Sequence, residues 1–259
     1  MSDDLLVDRR DGVVTLTLNR PDKLNSITGA MWGGLREVFD EVATNRDDRV
    51  LVITGAGKGF CSGADLVAQD MPRGTGGRLE HMRGVGRSAA ALRDIGKPTV
   101  AKVNGVAAGA GLNLALGCDL VIASDTARFS AIFVQRGLSI DYGGSWLLPR
   151  LIGVHKAKEL AFLAEVIDAA EAERIGIVNR VVAAAELDDA VDTVVARLLQ
   201  MAPIALAQTK HLLDQAFTVT FAEAVEAEAA AQVVNLGSDD AREAVKAFME
   251  KRNPSFLGE

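Results

Sequence analysis

The chain has 259 residues, 49% of them hydrophobic and 24% charged, with a net charge of −7 at pH 7. That is the make-up of an ordinary globular chain with ample core, long enough for one main domain and an appendage. The acidic balance argues against broad nucleic-acid binding, which needs a basic face. No apolar run approaches a membrane span, and the acidic start Met1-Ser2-Asp3-Asp4 lacks a basic-then-apolar signal, so no membrane partner and a cytoplasmic location are expected. Cys61 and Cys118 form no CxxC pair and read as reduced, buried thiols. His81, His155 and His211 show no HxxxH spacing, so no metal site is expected.

In chain order, Val13–Leu18 reads as a strand, and residues 28–43 as a helix with Met31, Leu35, Val38, Phe39 and Val42 on one side. Val50–Thr54 is an expected strand, 79–95 a helix, 99–103 a strand, 110–117 a helix and Leu120–Ala123 a strand. This alternation implies crossover connections and mostly parallel sheet, an α/β fold. Residues 71–77, Met-Pro-Arg-Gly-Thr-Gly-Gly, form a breaker cluster and read as a mobile loop. Beyond about residue 185 the pattern is helical only: 187–200, 204–217, 221–235 and 239–251. Its alanine-rich stretch Ala222–Ala231 buries little alone and needs a partner surface.

Two segments carry the chemistry: Gly59-Phe60-Cys61-Ser62-Gly63-Ala64-Asp65-Leu66 and Asn104-Gly105-Val106-Ala107-Ala108-Gly109-Ala110-Gly111-Leu112. Each is a small-residue turn after a β-branched run, followed by residues able to start a helix. The first turn of a helix has no internal acceptors for its N–H groups, so such turns present donors to an anion. Two of them can aim two N–H groups at one oxygen, although glycine turns of this kind also serve close packing alone. Nucleotide motifs fit neither segment. Lys58 follows Gly57, but Val52 and Gly59 break the phosphate-loop pattern, and Leu114 stands where the dinucleotide fingerprint needs its third glycine.

Five signatures in order make the chain resemble the enoyl-CoA hydratase/isomerase (crotonase) superfamily over essentially its whole length. They are Leu18-Asn19-Arg20-Pro21 with Leu24-Asn25, the Gly59–Leu66 segment, Asn104-Gly105 with Gly109-Ala110-Gly111, Cys118–Ala123, and Leu148-Pro149-Arg150-Leu151-Ile152-Gly153. The resemblance implies a crotonase-like ββα spiral of mostly parallel strands with a C-terminal helical region. It implies residues 1–185 as the acyl-CoA-binding core and 186–259 as a trimerisation or lid region. Acyl-CoA thioester substrates, a homotrimer or dimer of trimers, and no cofactor beyond the coenzyme A of the substrate also follow from it.

By the same resemblance the Ala64 and Ala110 N–H groups stabilise a thioester enolate in an oxyanion hole. The second position is most often glycine in such enzymes; alanine keeps the N–H and adds a Cβ. Hydratases of the superfamily hold a water with two glutamates, and the matching positions here are Asn113 and Phe133, neither of which is a general base. Asp141 lies where several isomerases and dehalogenases of the superfamily carry a working aspartate. Read from its own turn, it also suits the cap of a helix starting near Ser145. One carboxylate fits a double-bond shift, in which a proton leaves one carbon and returns to another. Phe133, Tyr142 and Trp146 are expected to shape the acyl pocket, with core packing open for Tyr142 and Trp146. Lys23, Leu24, Ser62, Asp65 and Leu66 match positions beside coenzyme A, with Arg20 and Lys58 as further phosphate candidates. Lys251 belongs to a stretch, Phe248–Arg252, resembling the tail that closes over coenzyme A. The alternatives are a 2-enoyl-CoA hydratase of fatty-acid or aromatic-acid degradation, other crotonase chemistry, and an inactive acyl-CoA-binding scaffold.

Overall fold

The computed structural model describes residues 3–67, 72 and 74–259. In chain order the regular elements begin β1 (Leu5–Arg10), β2 (Val13–Leu18), α1 (Gly29–Thr44), β3 (Val50–Gly55), β4 (Gly59–Cys61) and α2 (Gly74–Arg93). There follow β5 (Thr99–Val103), β6 (Val106–Ala108), α3 (Ala110–Leu116), β7 (Leu120–Ser124), β8 (Arg128–Ser130) and α4 (Gly144–Leu163). The last are β9 (Ile167–Asp168), α5 (Ala169–Ile175), β10 (Arg180–Val182), α6 (Leu187–Leu199), α7 (Pro203–Gln215), α8 (Phe221–Gly237) and α9 (Asp239–Glu250). The described chain divides into two compact units, Met1–Ile95 with Thr99–Asp192, and Gly96–Pro98 with Thr193–Glu259. The division falls inside α6, whereas the expected boundary at 185/186 lies ahead of it.

The first unit holds two sheets. One runs β1-β2-β3-β5-β7-β10, and the other β4-β6-β8-β9. Strands β3, β5 and β7 are mutually parallel in the first, as are β4, β6 and β8 in the second. The chain therefore repeats strand, strand, helix: β3-β4-α2, β5-β6-α3, β7-β8-α4. Each turn of this spiral adds one strand to each sheet.

Local sequence explains the elements. The β-branched run of β3 is buried at every position, as an interior parallel strand requires. Helix α1 is capped by Thr28 and buries Met31, Trp32, Leu35, Val38, Phe39 and Val42 along one face. The breaker cluster corrects one expectation: residues 74–77 open α2 and are no loop, while 71 and 73 lie outside the described residues. Packing overrides propensity there. A Cβ on Gly77 would come within 2.8 Å of the Pro72 Cβ, so glycine permits the close approach.

In the second unit, α8 starts with a capping box made by Thr220 and Glu223, and α9 is capped by Ser238. The C-terminal residues fold back onto α9. The Asp240 carboxylate accepts the N–H groups of Leu257 and Gly258 at 2.8 and 3.0 Å, and the Asp239 N–H donates to the Glu259 carbonyl. Large apolar side chains of this unit remain exposed, among them Phe217, Phe221, Val233, Leu236, Phe248 and Met249.

Two glycines separate backbone necessity from convenience. A Cβ on Gly111 would collide with the Cys61 carbonyl, whereas Gly33, inside α1, has nothing within 4 Å. Gly33→Ala should raise stability by about 0.5–1 kcal/mol in urea unfolding. Gly111→Ala should lower it by more than about 3 kcal/mol or abolish folding, because backbone must move.

Candidate active site

The parallel strands β4, β6 and β8 run side by side, so the chain leaves all three at the same edge of their sheet. Beyond β4 comes the turn 62–66; beyond β6, Gly109 and α3; beyond β8, a 3-10 turn (Ile132–Arg136) and the loop 137–143. These exits enclose a pocket of about 350 Å³ whose lining includes Ala64, Ala110, Phe133, Arg136, Leu138 and Asp141. Ligand crevices at the carboxyl ends of parallel strands are the general pattern in such sheets.

Positive-φ glycines turn the backbone just ahead of both alanines. Gly63 has φ 100° and Gly109 has φ 56°, conformations that L side chains rarely adopt. The turns also touch: a Cβ on Gly63 would lie 2.9 Å from the Ala108 carbonyl oxygen and 3.5 Å from the Ala110 nitrogen. Ile27 bridges Ala64 in parallel fashion, donating to the Gly63 carbonyl and accepting from the Asp65 N–H, each at 2.8 Å. That pattern leaves the Ala64 N–H on the side away from Ile27. Ala110 opens α3, where an N–H has no partner within the helix. Neither N–H meets an acceptor among the described residues. An Arg20–Asp65 ion pair at 2.8 Å, with both side chains largely buried, braces the first turn. Cys61 beside it is no nucleophile, because burial pushes its thiol up to about 12.

Asp141 is the single carboxylate in the lining among the described residues. Its Oδ1 is buried without a hydrogen-bond partner. Burial among apolar neighbours pushes its carboxyl up from the ordinary range to about 6. Asn113 is fully buried and donates from Nδ2 to the Asp141 main-chain carbonyl at 2.8 Å. Arg136, exposed at the pocket wall, had no sequence signal; only its place one turn after Phe133 could have drawn attention to it.

The enoyl-CoA hydratase/isomerase family model matches residues 8–259. The chain is 39% identical over 250 residues to 1,2-epoxyphenylacetyl-CoA isomerase of Escherichia coli K12, covering 95% of both. Among solved structures, an enoyl-CoA hydratase from Bacillus anthracis superposes with a TM-score of 0.94 at 29% identity, covering 99% of this chain and 100% of that one. An enoyl-CoA hydratase from Mycobacterium smegmatis does so with 0.93 at 32% identity, covering 98% and 99%. The chain belongs to the enoyl-CoA hydratase/isomerase family. Its fold is the crotonase fold of these neighbours, and it is an acyl-CoA enzyme of that family.

The other residues that family resemblance singles out fall into three places. Tyr142 and Trp146 do not line the Asp141 pocket; with Asn113 they line a second cavity of about 400 Å³. Tyr142 is buried there, its hydroxyl 3.1 Å from that of Ser88 and its ring 5.2 Å from Trp32. Arg93 and Arg150 lie over the Trp146 ring at 4.2 and 3.8 Å. Lys23, Leu24 and Ser62 come together on the first turn, where the Ser62 N–H donates to the Leu24 carbonyl and its hydroxyl to that of Lys23. Leu66 is exposed and lines the Asp141 pocket, whereas Asp65 is taken up by Arg20. Arg20 thus braces the turn, and Lys58 is exposed. Lys251 ends α9 in the second unit, with φ 55°.

The raised Asp141 carboxyl has a consequence for stability. The folded state holds this proton up to about pH 6, the unfolded chain only to about pH 4. Ionisation of Asp141 therefore destabilises the fold as pH rises through that window, and the penalty is absent below it. Asp141→Asn should stabilise the protein by about 3 kcal/mol above pH 7, with the two unfolding curves converging near pH 4. Equal stabilities at pH 8 would show that the carboxylate is solvated.

Proposed function

We propose that this enzyme shifts the double bond of an enoyl-CoA thioester, with Asp141 as its one acid/base. The observation that carries this is a single carboxylate, raised toward neutrality, in a pocket that also holds two unpaired backbone N–H groups. In a 3-enoyl-CoA, the Asp141 carboxylate takes a proton from C2. The electron pair of that C–H bond forms C2=C3, and the former C3=C4 pair takes a proton at C4. Between the two transfers the charge spreads onto the thioester oxygen, which the Ala64 and Ala110 N–H groups stabilise. One such donor is typically worth about 10²–10³ in rate, and a positioned base about 10²–10⁴.

The scheme balances on protein groups alone, with coenzyme A entering as part of the substrate. Lys23, Leu24, Ser62 and Leu66 are the residues proposed to meet the coenzyme. Phe133, Ile132 and Leu138 keep the reacting carbons dry, and the cavity of Tyr142 and Trp146 accommodates the far end of the acyl group. The Escherichia coli relative, 1,2-epoxyphenylacetyl-CoA isomerase, supports isomerase chemistry on this scaffold. Hydration must hold a water as well as a proton donor, and the pocket lining offers no second carboxylate among the described residues.

Absorbance tests the reaction. Isomerisation of 3-enoyl to 2-enoyl-CoA creates the conjugated thioester chromophore, and hydration destroys it. Asp141→Asn should cut the rise in absorbance by at least about 10²-fold while acyl-CoA binding stays within a few-fold. Wild-type enzyme should exchange C2 or C4 protons with deuterated solvent, and the variant should not. Hydration of 2-enoyl-CoA much faster than isomerisation would overturn the assignment.

The exposed apolar side chains of the second unit support assembly with further copies, a homotrimer or a dimer of trimers. Light scattering at micromolar concentration should show one of these masses; a monodisperse monomer would overturn it.

A further inference from the structure

We propose that Asn113 is a positioning residue that locks Asp141 at a fixed distance from the Ala110 N–H. The proposal rests on Asp141 being the acid/base. Asp141 lies in an irregular loop flanked by left-handed residues, Gly137 at φ 69°, Tyr142 at 47° and Gly143 at 79°. Its carbonyl accepts from the Gly144 N–H at 2.9 Å, a bond within the same turn. The Asn113 Nδ2 bond at 2.8 Å is its tie to a distant part of the chain.

That tie runs to α3, and α3 begins with Ala110. Residues three apart share a helix face, so one short helix carries the donor at its start and the clamp one turn on. All seven residues of α3 are buried, leaving it little room to move. The Asn113 amide is also packed against the first turn of α4, where a Cβ on Gly144 would collide with its atoms. Its Oδ1, by contrast, is buried with no partner. A side chain chosen for packing would not leave that oxygen stripped of water; the amide is explained by what its nitrogen holds. A carboxylate in its place would set oxygen against the Asp141 carbonyl oxygen and add a like charge near the base.

Among the described residues, Arg136 shares the pocket lining with Asp141, while Arg93 and Tyr142, the next residue in the chain, line the neighbouring cavity. Burial raises the Tyr142 hydroxyl above its ordinary range, so the tyrosine stays protonated near pH 6. The acid limb of the rate profile then reports Asp141.

The experiment compares Asn113→Asp, Asn113→Ala and Gly144→Ala with wild type and Asp141→Asn. Each measurement is of 3-enoyl-CoA isomerisation from pH 4.5 to 9, alongside hydrogen exchange of residues 137–143. Loss of the clamp should lower kcat by about 10²-fold in all three, with KM within about threefold, and speed exchange in the loop. The acid limb should move up in Asn113→Asp through the added carboxylate, and down in Asn113→Ala as the loosened loop admits water. Gly144→Ala reaches the same clamp without altering either side chain's chemistry, which covers the case in which one Asn113 variant fails to fold. Folded variants with wild-type kcat and an unmoved acid limb would overturn the proposal while leaving Asp141 as the base. An active Asp141→Asn would overturn both.

Discussion

Two backbone N–H groups without acceptors, at Ala64 and Ala110, are the constraint around which the first unit is arranged. Backbone donors removed from water normally find partners, and leaving them bare costs stability. Keeping two of them close together requires positive φ at Gly63 and Gly109, a parallel pair β4–β6 that delivers both turns to one edge, and braces on either side. The Arg20–Asp65 pair and the Ile27 bridge hold the first turn; the buried helix α3 holds the second. The larger sheet contributes no residue to the pocket lining. Its role is to fix, strand by strand, where β4, β6 and β8 stand.

The environment that leaves those donors bare also conditions Asp141. Low local dielectric strengthens a hydrogen bond to developing negative charge and, by the same physics, penalises a resident carboxylate. The upward shift to about 6 and the unpaired Oδ1 are two signs of one cause. A base with that pKa is still ionised at neutral pH, yet basic enough to take a carbon-bound proton from an activated thioester. Dryness therefore serves both halves of the proposed reaction, and its cost falls on the stability of the folded chain.

Several of the longer elements were legible in the sequence because they repeat a period. Helix α1 shows its buried stripe at helical spacing, and β2, β3, β5 and β7 are β-branched runs. Strands β4, β6 and β8 were not legible. Three residues each (Gly-Phe-Cys, Val-Ala-Ala and Arg-Phe-Ser), they are too short for alternation and exist because their neighbours pair with them. The donor turns were visible as glycine patterns. Asp141 stood out only through family resemblance, since its own turn also suits a helix cap. The separation of Tyr142 and Trp146 from Asp141 had no sequence signal: one residue past Asp141 the chain has already turned into a second cavity. The bond from Asn113 joins residues 28 apart and left no local trace.

The division of labour between backbone and side chains explains how one scaffold holds more than one chemistry. The proposed donors are main-chain groups, so on that reading an alanine at position 110 serves as a glycine would, provided the preceding glycine keeps its turn. The proposed acid/base, by contrast, is a side chain, and three separate exits carry the positions that resemblance ties to that role: 113 on α3, 133 on the 3-10 turn, and 141 on the loop. In this chain the first carries an amide aimed at the loop, the second a phenyl in the pocket wall, and the third the carboxylate. In the proposed reaction the chemistry thus rests on side chains at such positions and not on the fold alone. The arrangement found here, one pocket carboxylate among the described residues whose main-chain carbonyl is held by an amide, is what the proposed proton transfer rests on.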